Sequence, residues 1–160
     1  MNKLFLFTDY YYPITNNTSY YFNKIINHLS KNFENKIEVY STSISKRTFN
    51  VKNNIKSNYV HTGKFNKDNI LSRVYNYTKI SIKFSIYCIR FVKKDDIVYL
   101  NTNPVFLIIF FSLLKRFKKF TLILHCNDIF PENILASGLL KRESIIYKML
   151  LTIYSISYKK

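Results

Sequence analysis

The chain has 160 residues, 48% of them hydrophobic and 18% aromatic, which is enough apolar material for one domain with one core and too much for intrinsic disorder. Its 25 Lys and Arg against 9 acids give a formal charge of +16, so the surface should attract a polyanion: nucleic acid, an anionic bilayer or phosphorylated ligands. Two cysteines, Cys88 and Cys126, lie far apart without C-x-x-C or His/Cys ligand spacing; neither a disulfide framework nor a zinc site is indicated, and a reducing cytosol fits best.

The first element is KLFLF, residues 3–7, a continuous apolar run expected of a central parallel strand covered on both faces. The run breaks into Asp9 and Tyr10 without a small-residue cleavage site, so no secretory signal is read. After the loop TDYYYPITNNTS comes a helix with Tyr21, Ile25, Leu29 and Phe33 at helical spacing and Thr18 or Ser19 placed to cap it. KIEVYST, residues 36–42, alternates Ile37 and Val39 against Glu38 as a second strand.

Residues 43–68 are polar and basic, and are expected to form a surface region with at most a short strand at residues 58–62. A long helix should follow from Asn69 to Phe91, with Ile70, Val74, Tyr77, Phe84, Tyr87 and Phe91 on one stripe, interrupted by Arg73, Lys79, Lys83 and Arg90. DIVYLN (96–101), TNP and an apolar helix from Val105 to Leu114 repeat the strand, loop, helix order. That last run is about half of the roughly 20 residues a membrane span requires, so it reads as a buried helix. FTLILH (120–125), a loop and a helix starting near Glu132 repeat the order again.

This alternation predicts an α/β fold: a Rossmann-like open, mainly parallel sheet with helices on both faces. The loops Asp9–Ser19, Asn101–Pro104 and His125–Glu132 should then share the rim at the carboxyl ends of the strands, where such sheets bind ligands. The final segment, residues 144–160, is apolar on nearly every side and so expects burial against something beyond it.

With Gly63 and Gly138 as the sole glycines, the chain carries no G-x-G-x-x-G or P-loop fingerprint. Chemistry concentrates in LHCNDIFPENI, residues 124–134. Asp128 and Glu132 could hold a sugar hydroxyl; equally, Asp128 could cap the next helix, with Pro131 in its first turn and Glu132 complementing its dipole. His125 is either an acid, base or hydrogen-bond donor, or a structural strand-end residue. Cys126 has no base in sequence to activate it.

The segments FLFTDYYYPITNNTSYYFNKIINHLSK, DIVYLNTNPVFLI and NDIFPENILASGLLK together resemble the N-terminal half of family 4 glycosyltransferases of the bacterial capsule and O-antigen type. The most specific match is the pattern of Asn127, Asp128, Phe130, Pro131, Glu132, Gly138, Leu139, Leu140 and Lys141. The resemblance covers essentially all of residues 1–160 and implies one domain, half of a GT-B fold, ending near the last strand of its first lobe. It implies an acceptor-binding half of a retaining, nucleotide-sugar-dependent transferase, inactive alone, with no cofactor and no metal. The nucleotide-sugar donor would bind only through a second domain or chain.

On the same resemblance Asp128 and His125 are catalytic, and Asp9, Tyr12, Asn16, Asn17, Asn103, Asn127 and Glu132 bind substrate. Asn16 and Asn17 stand where the family has Gly-Gly, bringing side chains where glycine has none. The implied partners are a lipid-linked saccharide acceptor and the anionic inner face of the cytoplasmic membrane, where the protein would be peripheral. The basic charge offers Arg73, Lys79, Lys83, Arg90, Lys93 and Lys94 to dock it there, or equally these cations only keep a hydrophobic protein soluble. The alternative is a non-catalytic, membrane-recruiting subunit that pairs with a separate donor-binding chain. Nucleic acid is not expected, because no helix-turn-helix, zinc-finger or RNP-type motif accompanies the charge.

Overall fold

The computed structural model describes residues 2–11, 16–32, 36–43, 54–62 and 69–159. In chain order its elements are β1 (Leu4–Thr8), α1 (Asn17–Asn32), β2 (Ile37–Ser43), β3 (Ile55–His61), α2 (Ile70–Phe91), β4 (Ile97–Asn101), α3 (Leu107–Lys118), β5 (Thr121–His125), α4 (Glu132–Ala136) and α5 (Ile145–Tyr158). The strands form one sheet in the order β3-β2-β1-β4-β5, with every pairing parallel. This is the α/β, Rossmann-like sheet the alternation predicts.

Side-chain alternation along the central strand β1 splits the core in two. Leu4 and Leu6 face α1 and pack with Phe22, Ile26, Ile37 and Val39. Phe5 and Phe7 face the opposite way, toward Phe84 of α2, Phe111 of α3 and Tyr154 of α5. The Phe7 ring lies 4.8 Å from Phe111 and 5.5 Å from Phe84, both edge-on, and stacks at 5.0 Å on Tyr40. Because all of β1 is buried, its sequence has no polar face to show.

Local details differ from the sequence reading. Asn16, rather than Thr18 or Ser19, caps α1: its Oδ1 accepts from the Ser19 N–H at 2.8 Å, while the Asn16 N–H donates to Ser19 Oγ at 3.2 Å. The face of α1 that is buried carries Ser19, Phe22 and Ile26, one step round from the expected Tyr21–Ile25–Leu29 stripe. Phe33 lies outside the described residues. Within the polar stretch 43–68, β3 spans seven residues and pairs along its length with β2, so more than residues 58–62 are strand; residues 44–53 and 63–68 lie outside the described set. Glu38 does not face solvent: it is buried beside β1, where its carboxylate accepts from Lys3 Nζ and Tyr40 Oη, each at 3.1 Å.

The largest correction concerns α2. Its buried residues are Asn76, Ile80, Ser81, Phe84, Ser85 and Cys88. Of the expected stripe, Phe84 is in the core and Tyr87 packs against it, whereas Ile70, Val74 and Phe91 are exposed. The helix is apolar on two faces, and the outward one carries Leu71, Tyr75, Ile82, Ile86 and Ile89.

The closing helix α5 is N-capped by Ser144, whose Oγ accepts from the Tyr147 N–H at 3.2 Å. Tyr147, Tyr154 and Ser157 are buried on its inner side, and Tyr154 Oη donates to the Val105 carbonyl at 2.9 Å. Its outer side is bare: Ile145 is 76% exposed, and Ile146, Met149 and Ile156 are exposed too. Among the described residues no helix is long and apolar enough to cross a membrane.

Candidate functional site

Parallel register sets the site. Asn101 at the end of β4 lies opposite His125 at the end of β5, so the loops after both strands leave the sheet side by side. Tyr99, two residues before Asn101, projects from the same face and stands against the first turns of α1, with its ring 5.8 Å from Phe22. His125 joins them, 5.9 Å edge-on from Phe22.

A cavity of about 190 Å³ opens here, lined by Asn17, Thr18, Tyr21 and Phe22 of α1, Asn103 of the β4–α3 loop, and His125, Asn127 and Asp128 of the β5–α4 loop. It is smaller than the roughly 300–1,000 Å³ of drug-sized sites, which suits one small ring or the end of a longer molecule.

Hydrogen bonds hold the cavity wall in place. Thr102 Oγ1 accepts from the backbone N–H of Asn127 at 3.2 Å and of Asp128 at 3.4 Å. The Thr102 N–H donates to the His125 carbonyl at 3.2 Å, and Asn127 Nδ2 donates to Asn101 Oδ1 at 2.8 Å. The β5–α4 loop is thus clipped to the end of β4 at several points. Tyr99 Oη lies 2.9 Å from His125 Nδ1, and burial raises the Tyr99 pKa, keeping the phenol protonated. A phenol that donates to Nδ1 leaves the neutral imidazole with its proton on Nε2.

Asp128 does not cap α4. That short helix has Pro131 at its N-cap and no side-chain capping bond, so the capping alternative for Asp128 falls, and Pro131 stands one position ahead of the first turn. Glu132 opens the helix, exposed, and does not line the cavity. Cys126 is exposed, and its pKa is raised by desolvation and by the neighbouring Asp128 carboxylate, which disfavours a reactive thiolate.

The structure therefore brings together His125, Asp128, Asn17, Asn103 and Asn127. Asn16 is engaged as a helix cap beside the cavity. Asp9 is 3% exposed at the end of β1, and its backbone carbonyl accepts from Thr42 Oγ1. Tyr12 lies outside the described residues. Sequence reasoning misses Tyr21, Thr102 and Tyr99. A polar pair ending an apolar strand, Asn101-Thr102, is the signal that could have found Thr102; Tyr99 needs the strand register. No group of three or more His, Cys, Asp or Glu able to hold a metal occurs among the described residues.

Fold and cavity together define an α/β domain with a polar cavity at the carboxyl edge of a parallel sheet. No protein-family model matches the chain. It is similar to a Pseudomonas aeruginosa protein named "Probable glycosyltransferase WbjE", with 28% identity over 158 residues. The similarity spans 99% of this chain, the rim loops included, and the chain spans 40% of that protein's length.

Proposed function

We infer that this chain is the acceptor-binding lobe of a retaining glycosyltransferase that builds cell-envelope polysaccharide of the capsule or O-antigen type. The observation that carries the reading is the cavity that gathers His125, Asn127, Asp128, Asn103 and Asn17 at the strand ends. The similarity to a protein named as a glycosyltransferase supports the same class. A carboxylate, an imidazole and several amides around a small cavity match a ligand dense in hydroxyl groups, because each hydroxyl both donates and accepts.

In this reading a lipid-linked saccharide places its terminal ring in the cavity. The Asp128 carboxylate accepts a hydrogen bond from the acceptor hydroxyl, orienting it and raising its electron density. That oxygen attacks the anomeric carbon of a sugar held by a separate donor-binding domain or chain and gives up its proton to the Asp128 carboxylate, as the bond from that carbon to the donor's phosphate oxygen breaks and the nucleoside diphosphate departs with the bonding electrons. His125, oriented through Nδ1 by Tyr99, presents Nε2–H as a donor to the acceptor ring.

The lobe works at the inner face of the cytoplasmic membrane. Leu71, Tyr75, Ile82, Ile86 and Ile89 form an outward apolar stripe on α2, with Lys79, Lys83 and Arg90 along one flank. Each cation near an anionic leaflet contributes on the order of 1 kcal/mol, and the helix, about 33 Å long at about 1.5 Å per residue, gives the contact length.

The test is nuclear magnetic resonance of the labelled chain. Saccharide acceptors should shift the amides of Asn103, Asn127 and Asp128, nucleotide sugar should leave them in place, and the chain alone should transfer no sugar. Sugar transfer by residues 1–160 unaided, or rim shifts caused by the nucleotide sugar and not by saccharide, would overturn the division of labour. The bare outer side of α5 favours a second reading, a non-catalytic recruiting subunit that docks a donor-binding chain there. An α5 variant such as Ile146→Glu that abolishes transfer in the reconstituted pair, while Asp128→Asn leaves it intact, would decide for it.

A further inference from the structure

The β4–α3 loop has a cavity on each side. Opposite the polar rim lies a second one of about 390 Å³, walled by the first turns of α2, the β4–α3 loop, α4 and α5. Its lining is mostly apolar, with Val74, Phe106, Phe130, Ile134 and Leu150 among the walls. Arg73 brings a cation to this lining and forms no ion pair among the described residues. Asn103 lines both cavities, so they meet at one residue.

An apolar hollow with a single guanidinium, sharing the lining residue Asn103 with the polar rim cavity, has a definite chemical complement. Its apolar walls favour a hydrocarbon chain through removal of surface from water, and guanidinium pairs with phosphate through charge-assisted hydrogen bonds. Val74, a lining residue that is itself exposed, also lies beside the outward stripe of α2, so one wall of the cavity adjoins the surface assigned above to the bilayer.

We propose that this cavity binds the first segment of a lipid chain attached to a phosphate, with the phosphate at Arg73 and any attached head group passing Asn103 into the rim cavity. The inference rests on the lipid-linked acceptor reading above and gives it a location. The same chemistry exists in a membrane phospholipid, so the source is decided by experiment.

The test is isothermal titration of the 160-residue chain with hexyl, octyl and decyl phosphate below their micelle concentrations, with decyl maltoside as the uncharged amphiphile and inorganic phosphate as the bare head. Affinity should rise about fourfold per methylene, the equivalent of about 0.8 kcal/mol, and level off when the cavity is full. Arg73→Ala should weaken decyl phosphate about tenfold or more and leave decyl maltoside unchanged. Ser137→Trp, at an exposed position on the cavity wall, should block both. Asp128→Asn should leave decyl phosphate, which carries no sugar to reach the rim, unchanged, so a failed rim site is distinguishable from a failed lipid site. Competition by phosphatidylglycerol vesicles would assign the cavity to bilayer lipid; binding that persists in their presence would assign it to a single-chain lipid phosphate. Equal affinity across the chain-length series, binding of inorganic phosphate alone, or indifference to Ser137→Trp would overturn the proposal.

Discussion

The two faces of the sheet are finished differently. On one face α1 covers β1 and β2 and reaches toward β4 and β5 mainly through Phe22, which leaves Ile123 43% exposed and His125 and Tyr99 at the edge of a polar cavity. On the other face α2, α3 and α5 seal the core around Phe7, Phe84, Phe111 and Tyr154. Their outward sides are in turn apolar: Leu71 of α2 is 79% exposed and Phe117 of α3 is 81% exposed. Incomplete cover over polar strand ends leaves a small polar cavity, whereas complete cover by doubly apolar helices leaves an exposed apolar surface of the kind that the proposed reading gives to a lipid or a partner.

The sharpest way to break this contrast is to neutralise the rim. In an enzyme completed with a donor-binding domain, Asp128→Asn should lower transfer about 10²–10⁴-fold, the usual reach of a positioned carboxylate acting on a proton. Its melting temperature should hardly move, since Asp128 is exposed and caps no helix. Transfer within a few-fold of the parent would remove Asp128 from the chemistry.

Stability should separate the two faces of α2 almost as strongly. Phe84, fully buried against Phe7, should cost about 3–5 kcal/mol on replacement by alanine. Ile86, 57% exposed two residues on, should cost within about 0.5 kcal/mol as Ile86→Ala. Denaturant unfolding of the two variants checks this, and similar losses would mean that the stripe is not bare.

The same stripe sharpens the comparison between helices. Ile82→Glu with Ile86→Glu should release the chain from anionic vesicles by tenfold or more, given roughly 1.5–3 kcal/mol for each apolar side chain withdrawn from water. Ile146→Glu with Ile153→Glu on α5, which has no comparable row of flanking cations, should float like the parent. Flotation that ignores lipid charge, or that depends on α5 and not α2, would move the membrane contact.

These contrasts mark what the sequence could and could not disclose. The cores of β1, β4 and β5 were legible as apolar runs, and α2 was legible end to end because apolar residues recur at helical spacing from Ile70 to Phe91, with Asn69 proving to be its cap. Which face of α2 turns inward was not: Ile82, Ile86 and Ile89 are as apolar as Ile80, Phe84 and Cys88, and periodicity cannot rank two apolar stripes. β3 was only half visible because polar residues interrupt it, and its place beside β2 comes from pairing rather than composition. At the site, the shared rim followed from the α/β alternation, whereas the individual residues were named on the family resemblance: of these, His125, Asn127, Asp128, Asn103 and Asn17 line the cavity, and Asp9, Asn16 and Glu132 do not. Asn16 could not be assigned to a cap rather than a ligand, because both uses need the same short amide side chain.

Buried titratable groups give a smaller, pH-dependent test of the sealed face. Burial raises the Cys88 thiol from 9.0 to about 12, so the folded state favours the protonated form. A raised pKa gives stability that is whole below the unfolded value and lost as pH rises toward the folded one. Thermal stability should therefore decline from about pH 9 upward, and Cys88→Ala should flatten the first part of that decline. An unchanged slope in the variant would mean that the thiol is not shielded by α2 and α3.

The smallest expected effect lies one bond behind the rim. Tyr99→Phe removes the hydroxyl that sits 2.9 Å from His125 Nδ1 and keeps the ring that packs on Phe22. A single net hydrogen bond contributes about 1 kcal/mol, so transfer should fall only about fivefold and the fold should be retained. The telling readout is the imidazole itself: nitrogen shifts should report one tautomer, protonated at Nε2, in the parent and a mixture in the variant. A purely structural tyrosine would alter melting and leave the tautomer alone. One that orients a hydrogen-bond donor toward the saccharide would do the reverse.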